Sequence, residues 1–306
     1  MPAAPNPFHG LSAFPITPAD PKGRVDTEAL SGLVERLAAA GVDSIGLLGS
    51  TGTYAYLARA ERRRAIEAAA RTLAGPSGRR TPLIVGIGAL RTDDAEDLAR
   101  DAAEAGADGL LLAPVSYTPL KDEEVFRHFA AVAAATDLPL CVYNNPGTTH
   151  FDVGDALLAR LAGVPRIVAV KNPAPPAPEA AARHAALRAT VPDGFALGYS
   201  VDWHAAGALL AGGAAWYSVA GGLLPAPCLA LCRAARSGDA ALAARLDAQL
   251  APLWQLFREL SSLRVVYAAA NLLGLCRAAP PRPILPLSPA DTDRVAAVLH
   301  GLSAAA

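Results

Sequence analysis

A chain of 306 residues, 52% apolar and 18% charged, can bury a large core, and its net charge of −1 gives no electrostatic footprint for nucleic acid. The four cysteines, Cys141, Cys228, Cys232 and Cys276, form no CxxC and have no histidine at ligand spacing, which predicts buried thiols in a reducing cytoplasm and no metal site. The opening MPAAPNPFHG has neither a basic n-region nor an apolar h-region, so no signal peptide is expected.

Apolar, β-type runs are expected as strands at 10–15, 44–48, 82–87, 109–113, 138–143, 166–171, 194–198 and 214–219. They are continuously apolar, as in a parallel sheet buried on both faces. Segments with helical periodicity separate them, at 27–40, 58–74, 93–105, 121–136, 153–162, 177–190 and 202–211. Thr92 followed by Asp93 and Asp94 reads as an N-cap with an acidic first turn, and Gly41 and Gly106 sit where a helix would close. AGVDSIGLL at 40–48 and AGADGLLLA at 105–113 form a weak repeat, each a helix end followed by a strand. The basic stretch ERRRAIEAAARTLAG carries Glu61 and Glu67 among its arginines and reads as a solvated helix face. The uncharged run 205–232 has the length of a membrane span, but Gly212, Gly213, Gly221, Gly222, Pro225 and Pro227 break it into pieces of a soluble core.

Eight strand–helix units predict a (β/α)8 TIM barrel over 1–236. The rest, 237–306, is helical at about 237–260, 262–274 and 288–303 and is expected as a C-terminal helical extension packed on the barrel. A doubly wound sheet is the alternative, but neither GxGxxG nor GxxxxGK[ST] occurs.

In such a barrel the chemistry collects at the C-terminal strand ends. Strand two ends in Gly49–Ser50–Thr51–Gly52, strand five in Tyr143, strand six in Lys171, and strand eight runs into Ser218. Only three of the 27 basic residues are lysines, and Lys171 closes an apolar strand. It either pairs with a carboxylate, snorkels to solvent, or serves as a neutral amine that attacks a ketone or aldehyde. Tyr143 is either a core tyrosine or a proton carrier. Ser50 and Thr51 make either a plain turn or a small nest for a carboxylate. An amine, a phenol and a carboxylate grip together suit a 2-oxo acid.

These motifs, GSTG at 49–52, YNNPGTT at 143–149 and VAVK at 168–171, resemble those of the dihydrodipicolinate synthase/N-acetylneuraminate lyase family of class I pyruvate aldolases, and the resemblance covers nearly the whole chain. It implies the same barrel with its helical extension, a homodimer or homotetramer, and no metal or organic cofactor. It also implies Lys171 as the Schiff-base lysine, Tyr143 as the proton relay with Thr51 sharing in it, and Ser50 and Thr51 on the pyruvate carboxylate. Three positions depart from the pattern. Thr53 stands where a glutamate often follows the GSTG turn, and Ser116, beside Tyr117, stands where synthases have a relay tyrosine. Thr148 replaces the arginine that clamps a second carboxylate, a charge that threonine cannot supply. Ser116, Tyr117, Thr148, Thr149, His150, Tyr199 and Tyr217 are expected around the variable end of the site. The expected function is a Schiff-base-forming lyase, aldolase or dehydratase, acting on pyruvate or a related 2-oxo acid. The alternatives are a 4-hydroxy-tetrahydrodipicolinate synthase and a non-catalytic 2-oxo acid binding protein.

Overall fold

The computed structural model describes residues 6–74 and 81–304. Eight parallel strands close into a barrel in chain order: β1 (Gly10–Ala13), β2 (Ser44–Leu47), β3 (Leu83–Gly86), β4 (Gly109–Leu112), β5 (Leu140–Tyr143), β6 (Ile167–Pro173), β7 (Ala196–Ser200) and β8 (Ala215–Ser218). Helices connect successive strands, so the chain forms the expected (β/α)8 barrel.

Side chains alternate along each strand between two apolar layers. Phe8, Phe14, Ile84, Leu111, Cys141, Ala169, Ala196, Ala215 and Tyr217 fill the interior. Leu11, Ile45, Leu47, Val85 and Leu110 pack outward, in one core with helix residues such as Leu30, Leu37, Ala65 and Phe129. Both layers are buried, which is why the strands read as continuous apolar runs.

Three local expectations shift. β6 runs past Lys171 because Asn172 and Pro173 pair with Tyr199 and Ser200. β7 starts two residues later than expected, after a turn with Gly194 at φ +82°. The helix Thr92–Glu104 has Arg91, not Thr92, at its N-cap; the Thr92 hydroxyl lies 3.0 Å from His128 Nδ1 instead.

The arginine-rich helix Arg59–Leu73 is more than a solvated face. Arg59 and Arg63 reach Asp97, Asp101 and Glu104 of the next helix, while Arg62 turns inward. Residues 205–232 divide among the helices Ala205–Leu210, Val219–Leu223 and Pro225–Arg236 and strand β8. Among the described residues no helix is long and apolar enough to cross a membrane.

Three helices follow the barrel: Ala240–Leu260, Ser262–Leu272 and Pro289–Ala304. Trp254 of the first stands edge-on to Trp216 of β8, with ring centroids 6.4 Å apart. The junction at Ser261, a non-glycine residue at φ +71°, swings over the C-terminal end of the barrel.

Candidate active site

A cavity of about 520 Å³ opens at the C-terminal ends of the strands. Its floor is made by strand-end residues Ser50, Thr51, Ala113, Tyr143, Lys171 and Tyr217. Its upper wall comes from the Tyr54–Tyr56 turn, Trp203, and Phe257, Leu263 and Ile284 of the extension.

Lys171 is only 4% exposed. Tyr143 on β5 and Gly198 on β7 flank it in register. Its Nζ lies 4.0 Å from the ring centre of Phe14, 4.1 Å from that of Tyr143 and 5.7 Å from that of Tyr217. Among the described residues it has no ion pair, so the carboxylate-paired lysine left open by the sequence is not what forms. Aromatic faces give a cationic amine some compensation, but no full counter-charge. Two glycines provide the space. A Cβ at Gly46 would fall 2.2 Å from the Phe14 ring, and one at Gly198 would fall 2.3 Å from the Tyr217 ring.

The Tyr143 hydroxyl is wired on two sides. Ser50 Oγ lies 3.3 Å away, and Asn145 Nδ2 donates to it at 2.9 Å. The same amide donates to Thr148 Oγ1 at 2.8 Å. The hydroxyl that meets Tyr143 is therefore that of Ser50, and Thr51 makes no direct hydrogen bond to it. Thr51 lines the cavity, 7% exposed, with no hydrogen bond from its hydroxyl among the described residues. Asn145 is missed by sequence reading because two asparagines follow Tyr143. Only the fold separates them: Asn144 points away and braces the Asp152–Val153 loop and Asn172.

The remaining candidates divide. Thr148 and Thr149 line the cavity. Thr149 is buried and donates to the carbonyls of Asn145 and Phe151. Tyr217 lines it with its ring, while its hydroxyl lies 3.5 Å from the Cys141 thiol deep in the barrel. Burial holds the Tyr217 phenol well above its ordinary range and pushes Cys141 up to about 12. Ser116, Tyr117 and His150 do not reach the cavity; they border a separate depression of about 240 Å³ beside it. The Ser116 hydroxyl bonds to the Thr118 carbonyl, and Tyr117 is 96% exposed. Tyr199 is also misplaced. It pairs with Asn172, one residue past the inward register of Lys171, so it points out of the barrel and meets His184 Nδ1 at 2.9 Å.

Several lining residues carry structure. Thr53 has φ +52° and a side-chain hydrogen bond with Tyr267. The Tyr54 phenol is pushed up to about 12 by burial, with Tyr143 adding to the shift and Arg62 opposing it. Arg62 lies 5.2 Å from the Tyr54 ring centre and donates to the carbonyls of Leu57 and Gly88. Asp202 is committed elsewhere, accepting from Trp216 Nε1 at 2.9 Å and Ala220 N at 2.7 Å. Burial raises its carboxyl above the usual range despite those bonds. Among the described residues no group of three or more His, Cys, Asp or Glu is placed to hold a metal ion.

The model of the dihydrodipicolinate synthetase family matches residues 7–302. The chain is 36% identical over 281 residues to the 4-hydroxy-tetrahydrodipicolinate synthase of Alcanivorax borkumensis, covering 92% of each. To the enzyme of the same name from Methylococcus capsulatus it is 38% identical over 253 residues, 82% of this chain and 84% of the relative. The crystal structure of a dihydrodipicolinate synthase from Agrobacterium tumefaciens superimposes with a TM-score of 0.94 at 60% identity, covering 97% of this chain and 98% of that one.

Proposed function

The chain belongs to the dihydrodipicolinate synthetase family, whose members are pyruvate Schiff-base lyases, and from that premise we propose that Lys171 forms the Schiff base with pyruvate or a related 2-oxo acid. The observation that carries this reading is a buried amine without an ion pair on the cavity floor, paired in register with a hydrogen-bonded tyrosine.

In this mechanism the neutral Lys171 amine attacks C2 of the 2-oxo acid, and the carbonyl π bond opens to a carbinolamine. Tyr143 delivers a proton to the leaving hydroxyl, the C–O bond breaks, water departs, and an iminium remains. The iminium accepts the electron pair left when Tyr143, in its deprotonated form after the water-forming step, takes a C3 proton to give an enamine, or the pair released when the C3–C4 bond breaks. Ser50 passes protons to and from Tyr143. The Ser50 and Thr51 hydroxyls, with the backbone N–H groups of their turn, hold the substrate carboxylate so that C2 faces the amine. No metal and no organic cofactor takes part.

The condensation named for the relatives is the second reading, and their names favour it. Against it stands Thr148 at the position of the second-carboxylate arginine. The same proposal includes a barrel of 1–236 with an extension of 237–306 that walls the site, a homodimer or homotetramer, and a cytoplasmic setting.

Borohydride reduction in the presence of pyruvate, followed by peptide mapping, tests the reading. It should fix the pyruvate carbon skeleton on Lys171, and Lys171→Ala should lose the adduct with an unchanged circular dichroism spectrum. An adduct elsewhere, or none, would remove the Schiff-base role from this residue. A folded protein that binds pyruvate but gives no adduct would favour the non-catalytic alternative.

A further inference from the structure

The site has two ends of different character. The floor offers hydroxyls, backbone N–H groups and one amine, enough for a single carboxylate and its neighbouring carbonyl. Among the described residues the upper part has no cation: Lys171 is the sole Lys or Arg of those that line the cavity. Asp202, the one acid among the described lining residues, is already bonded to Trp216 and Ala220. Thr148, at the expected place for a cationic clamp, accepts the Asn145 amide instead. Above the floor the cavity passes Val115 and Trp203 and reaches Phe257, Leu263 and Ile284; of the serine and threonine hydroxyls along it, Thr53 bonds to Tyr267 and Ser200 donates to the Asn172 carbonyl, which leaves Ser261 and Ser262 at the helix junction.

A carboxylate carried into that upper part would lose its water without gaining a counter-charge, which is strongly unfavourable. An apolar body would be covered by the walls. We propose that the second reactant, the aldehyde joined to or released from the enamine, is uncharged with an aliphatic or aromatic body. The inference rests on the Schiff-base reading and specifies its other substrate. In the joining direction, C3 of the Lys171 enamine attacks the aldehyde carbon. A C–C bond forms, the carbonyl π bond opens to an alkoxide, and Tyr143 protonates that oxygen. One water then hydrolyses the iminium, returning the 2-oxo group and the free amine.

The test pairs pyruvate with isobutyraldehyde, benzaldehyde, glyceraldehyde, succinic semialdehyde and aspartate semialdehyde, following pyruvate loss and product by mass spectrometry. The kcat/KM for the two apolar aldehydes should exceed that for either semialdehyde acid by about tenfold or more. Thr148→Arg should narrow or reverse that ratio by supplying the clamp. A wild-type preference for an acid-bearing aldehyde or for glyceraldehyde overturns the proposal, as does failure of every apolar aldehyde to consume pyruvate. Borohydride trapping of the same preparation separates the two levels. An adduct on Lys171 with the wrong aldehyde preference refutes this inference alone, whereas absence of the adduct refutes the Schiff-base reading beneath it.

Discussion

Replacing Asn145 isolates the hydrogen bond that sets the Tyr143 hydroxyl. The amide donates to the phenol oxygen at 2.9 Å and to Thr148 Oγ1 at 2.8 Å. Thr148 is solvent-exposed and can replace its bond with water, so the cost falls on the phenol. A donor already occupying that oxygen directs the tyrosine proton toward Ser50 or the substrate. Asn145→Leu keeps the bulk and removes the donor, which should cost about 1–2 kcal/mol of transition-state stabilisation, roughly 5–30-fold in rate. Asn145→Asp is nearly isosteric but aims a carboxylate at the phenol, whose proton then turns toward that carboxylate and away from the substrate. The aspartate variant should therefore be slower than the leucine variant. Exchange of the pyruvate methyl protons in deuterated water, followed by proton NMR, reads enamine formation without a second substrate. The exchange rate should fall in the order wild type, Leu, Asp, with the pyruvate concentration for half-maximal rate nearly unchanged. An aspartate variant as fast as wild type would show that Asn145 only fills space, and the reasoning would fail.

Gly198→Ala places a methyl 2.3 Å from the buried Tyr217 ring and 3.1 Å from Ala215 Cβ, so a loss of about 1–3 kcal/mol in urea unfolding is expected, with slower adduct formation because Tyr217 lies beside Lys171. Arg62→Lys cannot reproduce the bonds to Leu57 and Gly88 or the stacking on Tyr54, and should lower stability by roughly 1–3 kcal/mol; an unchanged urea midpoint would contradict this. Burial lowers the His128 pKa from its ordinary value of 6.5, so the unfolded chain binds the extra proton first as pH falls. Stability contributed by neutral His128 is present above pH 6.5 and drains below it, at up to about 1.4 kcal/mol per pH unit. His128→Gln should flatten the acid side of a plot of urea midpoint against pH, and an equally steep plot would remove His128 as its source.

Strand positions were legible because each parallel strand is buried on both faces, and the floor of the site was legible because it consists of strand ends. Strand parity could have placed Tyr199 as well: Lys171 points inward, Gly198 is its partner, and the next residue must point outward. The walls are another matter. Phe257, Leu263 and Ile284 are ordinary apolar residues of a helical tail, and only the turn at Ser261 brings them over the barrel. Ser116 and Tyr117 lie outside the cavity of this chain for the converse reason, since a loop after a strand can follow the rim without entering the site. Phe14 and Gly46 show a contact that pattern cannot reveal, a ring seated where a side chain is absent.

The scarcity of lysine has a practical side. Lys22 lies in the loop between β1 and the helix Thr27–Ala40, and Lys121 in the loop after β4; both are exposed and both stand on the face where the cavity opens. Among the described residues they are the exposed lysines, because the other basic residues are arginines and Lys171 is enclosed. Coupling through these two lysines would thus fasten the protein to a bead or sensor chip mouth-down and screen its own entrance. A tag placed at the opposite rim of the barrel would leave that entrance facing the liquid.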